Sequence, residues 1–171
     1  MATTNRNSAR TRAENPAVLK LISGGQTGAD RAALDYAVLV GISYGGWCPK
    51  GRRAEDGKLP PKYRLRETSS PAYSQRTRRN VLNADATVIL SKRPLVGGTA
   101  LTAQICGRHG KPCLVLSPAL PLAVAARRLR QFLRENRVRV LNVAGPRASS
   151  DSSVYEFTYR LLGRVLRTGR L

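Results

Sequence analysis

Residues 19–37, "LKLISGGQTGADRAALDYA", decide the fold. Leu19, Leu21 and Ile22 read as the end of a buried strand, and after Gly28 the pattern changes. Ala29, Ala32, Ala33, Tyr36 and Ala37 recur at helical spacing, and Gly41 marks the stop. The strand therefore turns into a helix through Gly24, Gly25, Gln26, Thr27 and Gly28. One glycine suffices for a tight turn; three in five residues mean that something comes close to the backbone. Amide N–H groups at the positive end of a helix make an anion site suited to phosphate. The spacing is neither GxGxxG nor GxxxxGK[ST], so neither nucleotide-binding fingerprint applies. Close packing against the protein itself is the competing reading, and the sequence leaves both open.

Outward from this turn, apolar runs alternate with helical segments. Strands are expected at "AVLKLIS" (17–23), "ISYGG" (42–46), "ATVIL" (86–90), "PCLVLS" (112–117) and "VRVLNVAG" (138–145). Helices are expected at about 28–40, 72–83, 99–109, 121–136 and 154–167. Strict alternation implies parallel strands joined by right-handed crossovers, hence an α/β domain with an open sheet and helices on both faces. "ATVIL" and "CLVLS" are apolar on both faces, as doubly covered strands should be. Ligands in such sheets bind at the carboxyl edge where strand order reverses. With the order 2-1-3-4-5, strands one and three flank that point, and loops 24–28 and 97–99 face each other. Residues 47–72 form a long Pro- and Gly-bearing connection, a length that points to function. Residues 1–16 read as a disordered tail ahead of one ligand-binding domain, 17–171.

The 171 residues carry 30 basic and 10 acidic side chains, a net charge of +20. Such a surface attracts polyanions. Only Lys20, Lys50, Lys58, Lys62, Lys92 and Lys111 are lysines, so an arginine-biased genome explains the excess without any partner. A nucleic-acid-binding module is a third-ranked reading, because no aromatic–basic alternation forms a stacking platform. Cys48, Cys106, Cys113 and the single His109 form no CxxC and no zinc spacing. Neither a protein-ligated metal nor a disulfide is expected, and a reducing cytoplasm is the expected setting. No apolar run approaches the roughly 18 residues that span a bilayer, and the start has no apolar signal region.

The remaining candidates fall after the other strands. "GGT" (97–99) places Gly97, Gly98 and Thr99 at a helix start, where Thr99 caps the helix or meets a ligand. Arg147, after the fifth strand, can make a bidentate phosphate contact. Arg76 and Asn80 share one helical face. In "GGWCPKGRRAEDG" (45–57), Lys50, Arg52 and Arg53 can offset ligand charge, Trp47 stacks on a ring or enters the core, and Cys48 is a buried thiol. Glu67 and Asp85 are the acid–base candidates if the protein is a nucleotide-processing enzyme or a nucleotide sensor.

"ISGGQTGADRAALDYA" (22–37), "GGWCPKGRRAEDG", "Y-x-L-x-ET" (63–68), "Y-x-x-RT-x-x-NV" (73–81), "GGT" and "NVAGPR" (142–147) together resemble the molybdenum cofactor carrier proteins. Those are Rossmann-like domains related to the lysine-decarboxylase-like LOG proteins and to the DNA-processing protein DprA. The resemblance covers about residues 18–166. It implies a single Rossmann-like three-layer domain that forms homo-oligomers, dimers or tetramers. It also implies binding of the molybdenum cofactor, a phosphorylated pterin, which is stored, protected and passed to molybdoenzymes or received from cofactor-biosynthesis proteins. Its phosphate would sit at Gly24, Gly25, Thr27 and Gly28 or at Gly97, Gly98 and Thr99. LOG enzymes carry PGGxGTxxE, whereas this chain reads "VGGTALTAQ", with Gln104 in place of the glutamate. That departure points away from nucleotide hydrolysis and toward a non-catalytic carrier.

Overall fold

The computed structural model describes residues 18–166; the expected tail, 1–16, and its boundary with the domain lie outside them. Five strands, β1 (Lys20–Ile22), β2 (Ser43–Gly45), β3 (Ala86–Leu90), β4 (Cys113–Leu116) and β5 (Val140–Ala144), build the main sheet. Five helices follow them: α1 (Ala29–Val40), α2 (Tyr73–Leu82), α3 (Gly97–Arg108), α4 (Leu122–Glu135) and α5 (Val154–Val165). Leu21, Val88, Leu116, Leu141 and Val143 pack into one core with Ala33 of α1, Leu129 of α4 and Leu162 of α5. Val81 of α2 and Ile105 and Cys106 of α3 form a separate cluster with Cys113, on the opposite face. The result is three layers around a sheet in which every pairing is parallel. Among the described residues no helix is long and apolar enough to cross a membrane.

The sheet order is β2-β1-β5-β3-β4, which corrects the expected 2-1-3-4-5. Strand–helix alternation sets direction and crossover hand but not which strand takes the middle. Here β5 inserts between β1 and β3, and Asp85 holds it there. The Asp85 carboxylate accepts the N–H groups of Arg139 at 2.9 Å and Val140 at 2.8 Å, and its own N–H donates to the Val140 carbonyl. On the other side the N–H groups of Leu19 and Lys20 both donate to the Arg139 carbonyl. Asp85 thus braces the amino edge of the sheet, away from the edge expected to bind ligand.

The long connection between β2 and α2 is organised by Arg52, expected above to offset ligand charge. Its guanidinium instead donates to four carbonyls, those of Leu59, Pro60, Tyr63 and Leu65, at 2.8–3.3 Å. Leu59, Tyr63 and Leu65 join Cys48 and Leu34 in a second small core. Two short ladders complete the segment: Trp47–Cys48 with Arg66–Glu67, and Arg53–Ala54 with Gly57–Lys58.

Asp35 of α1 ties this segment to α5. It accepts the hydroxyl protons of Tyr63 at 2.6 Å and of Tyr155 at 2.8 Å. Burial, reinforced by the Asp35 charge, pushes Tyr63 up to about 12, and Tyr155 is raised for the same reasons. A raised tyrosine lends stability below its ordinary value near 10 and withdraws it as pH climbs through the folded value. In a tyrosinate absorbance titration, Tyr63 and Tyr155 are expected to ionise above the ordinary value near 10, with unfolding starting between about pH 10 and 12. Asp35→Asn should bring the late step to lower pH; an unchanged curve would count against the network.

Candidate functional site

β1, β5 and β3 end side by side, so their following loops meet at one place on the carboxyl edge. Adjacent strands lie about 4.8 Å apart, which leaves roughly 10 Å between the ends of β1 and β3. The result is a cleft of about 480 Å³. Gln26 and Asp30 contribute from the first loop and α1, Ser91 from the β3–α3 connection and Gly97–Thr99 from the start of α3. Gly145, Arg147 and Ser150 come from the β5–α5 connection, and Tyr73, Arg76 and Thr77 from α2. The two glycine loops do share a cleft, but with the β5 loop between them.

The glycines of the first loop are covered by protein. A Cβ on Gly24 would lie 1.7 Å from the Arg76 guanidinium. Gly25, at φ 77°, would meet Leu59 and Leu65 at 2.8 and 2.9 Å, and Gly28, at φ 74°, the Pro146 carbonyl at 2.4 Å. Close packing therefore accounts for all three. The anion at this helix start is the protein's own: Asp30, 3% exposed, pairs with Arg76 at 3.0 Å and accepts the Gln26 N–H at 3.3 Å. Burial pushes the Asp30 carboxyl up, while Arg76 and the backbone N–H groups pull it back. The Thr27 hydroxyl donates to Glu55 and accepts the Ala148 N–H at 3.0 Å. What this loop offers the cleft is Gln26. Its Oε1 accepts from the N–H groups of Thr27 and Glu55, and its Nε2 has no partner.

The second loop is open. Gly97 and Gly98 begin α3, are exposed, and have nothing within 4 Å of a built Cβ. Thr99 caps the helix: its hydroxyl donates to the Val96 carbonyl at 2.7 Å and accepts the Val96 N–H at 3.3 Å. The N–H groups of Thr99 and Ala100 return to the Val96 carbonyl. Those of Gly97 and Gly98 remain at the cleft, with the positive end of the helix dipole behind them.

Two cations complete the site. The guanidiniums of Arg76 and Arg147 lie 5.7 and 6.0 Å from the centroid of the Tyr73 ring, which orients both. Arg147, 47% exposed, keeps only a 3.9 Å contact with Glu55. Glu55 latches the β5–α5 loop by accepting the N–H and hydroxyl of Ser149 at 3.2 and 2.5 Å, besides the Thr27 hydroxyl. Those hydrogen bonds hold its carboxyl below the usual carboxylate value. The latch is therefore complete above about pH 4.5 and is lost as pH falls through the depressed value. Glu55→Ala is expected to weaken ligand binding several-fold at neutral pH with little change in melting temperature, as titration and thermal melts would show.

Lys50 is exposed on the long connection and does not line the cleft. Asn80 is buried and brackets the Trp47 backbone, accepting its N–H at 2.8 Å and donating to its carbonyl at 3.1 Å. Glu67 accepts the Gly51 N–H at 2.7 Å, outside the cleft. Tyr73, Ser91, Ser150 and Asp30 were not singled out above. Asp30, in the first turn of α1, carried a readable signal, since a carboxylate there complements the helix dipole. Among the described residues, no three His, Cys, Asp or Glu side chains gather to hold a metal.

Residues 21–166 match the model of the circularly permutated YpsA SLOG family. A permuted order is what the sheet shows, with the last strand in its middle. The chain is also similar to a crystal structure from Syntrophus aciditrophicus SB named "Putative molybdenum carrier protein". The two share 46% identity over 90% of this chain and 98% of that one, with a TM-score of 0.88. No curated protein matches the chain.

Proposed function

Because the chain belongs to the circularly permutated YpsA SLOG family and is 46% identical, over 90% of its length, to a protein named "Putative molybdenum carrier protein", we propose that it binds the molybdenum cofactor as cargo. The observation that carries this reading is the imbalance of donors over acceptors in the cleft. Gly97 and Gly98 N–H, Arg147 and Gln26 surround it, while its one carboxylate, Asp30, is already paired with Arg76. Such a site takes an acceptor-rich anion, and a phosphate suits the start of α3. Val96, Leu101, Ala144 and Pro146 give the cleft an apolar wall beside Tyr73, suited to a ring system. Its volume lies within the roughly 300–1,000 Å³ typical of small-molecule sites.

Holding is favoured over hydrolysis. Neither Glu67 nor Asp85 lines the cleft, and Gln104 is exposed on α3 where the LOG motif has glutamate. Anaerobic titration of the purified protein with isolated cofactor should give a micromolar dissociation constant, and Arg147→Ala should weaken it about tenfold, the loss of one charge-assisted contact. If nucleoside monophosphates bind equally well or release free base, a nucleotide-directed role replaces this reading.

A further inference from the structure

The first cleft draws on two arginines, few of the 30 basic side chains. Leu21 points into the core under α1 and α5, so Lys20 and Ile22 point to the opposite face of the sheet. There a second cleft of about 350 Å³ opens beside β1 and β2, with Lys20, Tyr44, Trp47, Arg64, Arg66 and Asn83 in its wall. We propose that this second cleft binds a small multivalent oxyanion of the phosphate type, independently of the first.

Three cations converge on it, and its lining contains no Asp or Glu. Among the described residues, none of the three has a carboxylate within 4.0 Å. Asp85, which reaches Val140 in the same wall, is committed to the N–H groups of Arg139 and Val140. Like charges held together repel one another until a multivalent anion neutralises them.

The wall is also preorganised. A Cβ on Gly45 would sit 3.3 Å from the Lys20 Cε, so the missing side chain leaves room for the lysine to lie across the strand. Trp47 donates its indole N–H to Asn83 at 2.9 Å, and Asn80 fixes its backbone. Its ring in turn orients the guanidinium of Arg66 at 5.8 Å, with that of Arg79 at 4.4 Å. With two guanidiniums against the indole, the ring is poorly placed to stack on the bases of a nucleic-acid strand. A compact anion fits the charge and the volume better.

Trp47 is the only tryptophan and lies in this wall, so its emission responds to this cleft. The full chain would be titrated with inorganic pyrophosphate at constant ionic strength. The expected result is a saturable fluorescence change, with the dissociation constant raised about tenfold by Lys20→Met and by Arg64→Ala. Arg64 is exposed, so its removal does not endanger folding. Gly98→Asp, in the first cleft, should leave the curve unchanged. Four outcomes would overturn the proposal: no saturable change, the same change with chloride, no effect of either cation substitution, or loss of the signal in Gly98→Asp.

Discussion

Arg76→Ala is expected to lower stability by about 3–5 kcal/mol, the cost of leaving one member of a buried ion pair alone. Asp30 is 3% exposed and lies 3.0 Å from Arg76, so the truncation strands a carboxylate inside the protein. For a chain of this length that corresponds to a melting temperature lower by about 10 °C. Arg76 also crosses Gly24 at a distance no Cβ could tolerate, so Gly24→Ala should displace the guanidinium and reproduce much of the loss. Combining Asp30→Asn with Arg76→Met removes both charges and should recover most of the stability, because neutral replacement of a buried pair is often tolerated. Cofactor binding should stay weak in that double variant, since Arg76 also lines the cleft. If Arg76→Ala melts with the parent protein, the pair does not support the fold.

Gly98→Asp should weaken cofactor binding about a hundredfold, at least the loss of one strong charge-assisted contact, without destabilising the protein. Nothing lies within 4 Å of a Cβ there, so the side chain fits. A carboxylate in the first turn of α3 stabilises the helix by about 0.3–1 kcal/mol, while it repels an incoming anion. Affinity and stability therefore move in different directions, which separates loss of a site from loss of a fold. Gly25→Asp would not make that separation, because Leu59 and Leu65 already fill the space. Full affinity in Gly98→Asp, measured in the same anaerobic titration, would remove the start of α3 as the anion site.

The glycine motifs were legible as loops, and their different roles were not. "SGGQTG" and "GGT" look alike in sequence, each setting a Gly-Gly pair and a threonine at a helix start. One is sealed by Arg76, Leu59, Leu65 and Pro146, residues from three other segments; the other is left open. Arg52 and Arg147 were equally ambiguous as cations after a strand. Arg52 became a hub for four carbonyls, and Arg147 stayed largely free beside Tyr73.

By itself the sequence determined the class of fold: parallel strands, helices on both faces, and glycine loops on the carboxyl edge after β1 and β3. Hydrophobic period and glycine placement are local, so they can be read without knowing the neighbours. Only the tertiary structure decided that β5 stands in the middle of the sheet and that the first glycine loop houses the protein's own Asp30. Both outcomes rest on partners far apart in the chain, Asp85 with Val140 across 55 residues and Arg76 with Asp30 across 46. Contacts at such separation are selected by the packing of the whole domain, and local spacing carries no trace of them.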